Sequence, residues 1–94
     1  IDWEYWDVLS GEQMMRLTRQ LQKEIGAAHQ LFEIVSRLQV SARSRESDDI
    51  LVSDPSDLHK AYVVHLAWSD WPNEDANFPW ACVIPKAQIP KGFL

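Results

Sequence analysis

The 94-residue chain predicts an α+β domain: one N-terminal amphipathic helix packed on a small antiparallel sheet of three to four strands. Three observations predict it. Met14, Leu17, Leu21 and Ile25 recur at helical spacing. From Leu38 onward the apolar period falls to two. The later apolar runs are separated by turn-forming clusters such as Asp54-Pro55-Ser56-Asp57 rather than by further helices.

The helix is the most sharply written element. Ser10-Gly11-Glu12-Gln13 fits a capping box, with Leu9 and Met14 at the staple positions that flank it. Arg16, Arg19 and Lys23 fall on a face away from the apolar stripe, and Gly26 supplies a stop by taking the left-handed conformation, so the helix is expected over 11–25. Before it, residues 1–9 alternate aromatic and acidic residues. Trp3 and Trp6 share a face of a helical turn, whereas Trp3 and Tyr5 share a face of a strand, so the segment reads as an aromatic arm of either kind.

After a connection over 26–30, Leu38, Val40 and Ala42 alternate with Arg37, Gln39, Ser41 and Arg43, a half-buried strand. Phe32, Ile34 and Val35 extend its apolar content upstream as added strand or a bulge. Glu46-Ser47-Asp48 is a turn, 49–53 a second strand and 60–68 a third. In this third strand Tyr62, Val64, Leu66 and Trp68 share one face, and Ala61, Val63, His65 and Ala67 the other. Two apolar faces are the mark of a central strand. Trp71-Pro72 and Phe78-Pro79 make 69–80 a shaped loop, 80–84 is a short last strand or a turn, and 85–94 is an irregular tail of the single domain 1–94.

The net charge of −5 is unevenly spread. Residues 46–84 hold eight acids against Lys60 alone, while 10–45 carry a net of +3. An acidic second half repels phosphate backbones, so nucleic-acid binding through it is disfavoured and a basic protein partner suits it better. No apolar run approaches a membrane span, and the chain opens without the basic-then-apolar pattern of a secretory signal, which suggests a cytoplasmic protein with no membrane association. The single cysteine, Cys82, has no internal disulfide partner and reads as a small buried apolar side chain.

Chemistry-bearing constellations are sparse. His65, in an apolar strand, could join His29 and the Asp48-Asp49 turn in one polar site, although satisfied structural roles explain each of them as well. No H-x-H, H-E-x-x-H or cysteine–histidine spacing, glycine-rich phosphate loop or G-x-S-x-G elbow occurs, so neither a metal nor a cofactor is expected. Arg37, Arg43 and Arg45 read as the wet side of a strand paired with neighbouring acids such as Asp49. What remains is the loop, where Trp71 and Trp80 stand among Asp70, Glu74 and Asp75. Those aromatics either fold back as a lid on the core or point outward as anchors rimmed by acids.

The run Tyr62-Val63-Val64-His65-Leu66-Ala67-Trp68-Ser69 resembles the V-H-L-T-W-S signature of a family of small, uncharacterised bacterial proteins. His29-Gln30-Leu31-Phe32 and Asp48-Asp49-Ile50-Leu51 match further motifs of that family in the same order, from about Ser10 to Trp80, with Ala67 departing from its threonine. The resemblance implies a bacterial, cytoplasmic, stand-alone small domain, with no assigned activity and no functional residues to transfer.

Together these features lead to a non-enzymatic protein-binding domain, an acidic partner of a basic protein in the manner of an immunity or inhibitor protein, meeting it through Asp70, Trp71, Glu74, Asp75 and Trp80. Two alternatives stand beside it. One is a small enzyme or ligand binder around His65, His29 and Asp48-Asp49; the other is a structural homodimer joined at an edge strand.

Overall fold

Both halves of the capping box form. In the computed structural model, which describes residues 1–94, the Ser10 hydroxyl accepts the Gln13 amide at 3.3 Å and the Gln13 side chain accepts the Ser10 amide at 3.0 Å. Helix α1 then runs Gly11–Glu24. Strands β1 (Trp6–Val8), β2 (Gln39–Ser44), β3 (Asp49–Ser53), β4 (Lys60–His65) and β5 (Trp80–Pro85) form one antiparallel sheet in chain order. The α+β class holds, with five strands rather than three to four. The additional strand is β1, inside the expected arm: Trp3–Tyr5 make a 3-10 turn, and Trp6–Val8 pair with β2.

Helix α1 covers one face of the sheet. Leu17, Leu21 and Ile25 pack there with Val40, Ile50, Val52, Tyr62, Val64 and Leu66. The opposite face has its own smaller cluster of Trp6, Ala42, Leu51, Ala61, Val63, Ile84 and Ile89. The tail lies over part of it: Ile89 is buried, and Phe93 stacks on Trp3 with ring centroids 5.6 Å apart. β4 is thus apolar on both sides because both sides are covered, as its composition demands.

Two expectations for the middle of the chain change. Phe32, Ile34 and Val35 lie in a 3-10 turn, Phe32–Arg37, rather than in strand. In β2 the alternation breaks at Ser41: Val40 stands opposite Val52 but Ala42 stands opposite Leu51. One extra residue reverses the side-chain parity, so Val40 packs under α1 while Ala42 packs on the other face. The arginines also take other partners than Asp49. Arg37 pairs with Asp54 at 2.9 Å and Arg45 with Asp7 at 2.6 Å.

β4 ends at His65, short of Trp68, and the cause is Glu24. This carboxylate is fully buried at the last turn of α1. Its Oε1 accepts the Ala67 amide at 2.7 Å, and its Oε2 accepts the Trp68 amide at 2.9 Å and the Gln20 side-chain amide at 2.8 Å. Amides held by a side chain leave the ladder, and Trp68 takes a left-handed φ of 58° that costs a non-glycine residue on the order of 1–2 kcal/mol. Charge-assisted bonds of this kind offset such strain. Gln20 also donates to the Ser69 carbonyl, and the Glu24 carbonyl accepts the Asn73 amide, so the end of the helix holds the start of the loop at several points.

Asp54 organises the β3–β4 connection. Its Oδ2 accepts from Arg37, and its Oδ1 accepts from the Ser56 hydroxyl and amide. The Arg37 hydrogen bond first, then those from Ser56, hold this carboxylate well below the usual range. Asp57 is also lowered, chiefly by the His59 amide.

Two outcomes follow from these contacts. Glu24→Gln sets an amide donor against an amide donor, and urea unfolding should show a loss of about 1–3 kcal/mol together with a red-shifted tryptophan emission as the loop loosens. Asp54 has its folded pKa below its unfolded value of about 3.9, so its contribution is fully present above about pH 4 and is lost as pH falls further toward the folded value. Unfolding followed against pH should therefore show an acid limb below about pH 4 that Asp54→Asn makes shallower, at reduced stability near neutrality.

Candidate functional site

The loop between β4 and β5 leaves the helix end and returns across it. Gly26 makes the crossing close. A β-carbon there would lie 2.0 Å from the Asn73 carbonyl oxygen, so glycine is required by proximity and not, as expected, by a left-handed φ. His29 is buried beneath the far end of the loop. Its Nδ1 accepts the Leu31 amide at 3.0 Å, and its Nε2 donates to the Pro79 carbonyl at 2.7 Å. The histidine thus positions Pro79, whose peptide bond with Phe78 is cis.

Held this way, the loop turns its aromatics outward. Trp71 is 77% exposed and Trp80 52%, and Asp70, Glu74 and Asp75 are exposed beside them. No lid forms. The two tryptophans serve different hollows, however. Trp71, with Pro72 and Asn73, borders one at the C-terminal end of α1 against Gly26, Ala27 and Ala28. Trp80 borders another on the helix-free face of the sheet.

This second hollow, of about 450 Å³, occupies the part of the helix-free face that the tail leaves open. Trp6, Val63 and Cys82 line it from β1, β4 and β5, and Ile1, Tyr5 and Trp80 extend the apolar lining. Asp2, Glu46 and Asp49 contribute carboxylates. Register explains the arrangement. His65 stands opposite Asp49 on one side and Trp80 on the other, so three strands place an acid, an imidazole and an indole in a row. His65 Nδ1 donates to Asp49 Oδ1 at 2.9 Å, and the Ser47 hydroxyl donates to Asp49 Oδ2 at 2.8 Å. An aromatic hollow edged by carboxylates is suited to a cation, through ion pairing and the faces of the rings.

The polar cluster expected around His65 therefore assembles only in part. His65 and Asp49 meet. Asp48 is exposed and uses its backbone carbonyl to accept the Leu66 amide. His29 has both ring nitrogens engaged elsewhere. Cys82 is half-buried, opposite Val63, and lies diagonally across from His65. The hydrogen bond His65 makes is to Asp49, not to this thiol. No three His, Cys, Asp or Glu side chains gather in an arrangement that could hold a metal ion.

Sequence reasoning missed Ile1, Asp2, Tyr5, Trp6 and Cys82 as parts of one surface. Three residues of β1 carry too short an alternation to announce a strand, and without β1 the N-terminal aromatics have no address. No helix is long and apolar enough to cross a membrane. No protein-family model, curated protein or solved structure matches the chain.

The close crossing at Gly26 has a measurable consequence. Gly26→Ala must push the Asn73 backbone away, and we expect a loss of about 1–3 kcal/mol on chemical unfolding and a displaced Trp71 indole signal in the NMR spectrum.

Proposed function

We propose that this chain is a non-enzymatic protein-binding domain, an acidic partner of a basic protein in the manner of immunity and inhibitor proteins. The observation that carries the reading is the helix-free hollow, where Tyr5, Trp6 and Trp80 share one concave surface with Asp2, Glu46 and Asp49. Aromatic anchors with carboxylates around them are the composition of a site for an arginine or lysine presented by another protein. The exposed acids Asp70, Glu74 and Asp75 extend the same sign of charge along the loop, which would steer a basic partner toward this end of the sheet. On the motif order anchored by Tyr62–Ser69, we take the chain to be a bacterial cytoplasmic protein.

A ligand-binding or catalytic reading has one specific observation in its favour, the His65–Asp49 pair, which fixes the imidazole with Nδ1 engaged. It needs a third group that completes a reaction centre, and none is assembled there.

The test uses the whole chain with arginine-rich and lysine-rich peptides, followed by tryptophan indole NMR signals. We expect saturable, salt-sensitive shifts of the Trp80 indole, weakened about tenfold or more by Trp80→Ala or by Asp49→Asn combined with Glu46→Gln. In parallel, wild-type and Trp80→Ala chains serve as baits in lysate of the source cells. Recovery of one basic protein by the wild type alone supports the reading. Peptides that leave the indole unmoved, with no partner that depends on Trp80, would sink it.

A further inference from the structure

The outer edge of the sheet raises a separate question. β5 is the last strand in the sheet order, and its far side pairs with nothing. Proteins usually blunt such an edge with charges, prolines, brevity or a covering element, and here the prolines stand only at the ends, Pro79 before the strand and Pro85 as its last residue. β5 reads Trp80-Ala81-Cys82-Val83-Ile84-Pro85, with no charged residue and half of Val83 in solvent.

The ladder shows which backbone groups the edge offers. The Lys86 amide donates to the His59 carbonyl at 2.9 Å, just beyond the Lys60–Pro85 pair. Antiparallel pairs alternate between bonded and non-bonded, so Ile84, Cys82 and Trp80 bond toward β4. Ala81 and Val83 therefore turn their amides and carbonyls outward, and Pro85, which has no amide to leave unpaired, takes the next outward place.

We propose that a second copy of this chain pairs along this edge, β5 antiparallel to β5, about a two-fold axis through Cys82. In that register Ala81 of each copy bonds with Val83 of the other, and Pro79 and Pro85 face each other at the two ends. Any other antiparallel register that engages both residues sets a proline against one of them, which weakens the ladder. The charges favour the same orientation. Asp70, Glu74 and Asp75 precede the Trp80 end of the strand, whereas Lys60, Lys86 and Lys91 accompany the Pro85 end. Of the acids at that second end, Asp54 is paired with Arg37, which leaves Asp57 against the lysines. Antiparallel pairing sets the acidic end of one copy beside the basic end of the other. The helix-free hollow stays open, because the new strand extends the sheet sideways.

The register makes a covalent readout available. Cys82 would face Cys82 of the second copy in a non-bonded pair, where α-carbons lie about 4.5 Å apart, inside the range a disulfide spans. The experiment is light scattering of the full chain across the micromolar range, with the same samples exposed to a mild copper–phenanthroline oxidant. A concentration-dependent dimer that crosslinks through Cys82 supports the proposal. The dimer midpoint should rise about tenfold or more in Val83→Lys and in Ala81→Lys, each checked for native circular dichroism. A chain that stays monomeric throughout overturns the proposal and leaves the edge to a foreign strand. A dimer that neither lysine variant weakens overturns it in favour of another interface. A dimer that the variants do disperse but that forms no Cys82 disulfide overturns this register.

Discussion

The buried carboxylate of Glu24 is the interaction on which the arrangement turns. It sits where α1 ends, and it takes the two amides that β4 would otherwise have carried onward as strand. A carboxyl group removed from water must be surrounded by partners, and here the donors come from the segment that needs a reason to leave the sheet. One side chain thereby ends a strand, fixes a left-handed Trp68 and determines where the loop to β5 begins. Gly26 and His29 continue the same work further along. The glycine admits the Asn73 backbone, and the histidine takes the Pro79 carbonyl. The outward pose of Trp71 and Trp80 rests on these three contacts from the helix side.

The helix was fully legible in the chain because its signals are local. The capping box, the staple and the apolar stripe all lie within a few turns of each other. The central strand was legible because two covered faces leave a continuous apolar run. What escaped was non-local. Nothing in the spacing of Glu24 marks it as the acceptor for residues more than forty positions away, and a glutamate on a helix ordinarily faces water. Gly26 stands where a helix stop belongs, but the reason for it, the close approach of Asn73, depends on a loop that only the folded chain brings near. In the sequence His29 lies in the connection after the helix and His65 in the central strand, and one polar site could have taken both. In the fold one is a buried link between two backbone segments and the other an exposed partner of Asp49.

The candidate surface illustrates the same limit. Its acids and tryptophans are visible as composition, and the loop carries several others of both kinds. Its actual floor is built from the N-terminal segment, the middle of β4 and the inner face of β5, joined only by register. Arg16, Arg19 and Lys23 line the solvent side of α1, and Asp2, Glu46 and Asp49 border the helix-free hollow.

The irregularity at Ser41 has a bearing on how such a chain can change over evolutionary time. On its N-terminal side the even-numbered residues of β2 belong to the helix layer, and on its C-terminal side they belong to the other layer. Deleting Ser41 would restore an ordinary strand with Val40 and Ala42 already on alternate faces, whereas a deletion elsewhere in β2 would move the residues on one side of it to the wrong layer. Substitutions along β2 can be absorbed one at a time, but away from Ser41 a change in its length cannot. Lineages descended from this sequence should vary in the connections around 46–48 and 54–59, and within β2 should change length only at Ser41, where the loss removes the bonds to Leu9 and Phe93 but leaves both layers in place.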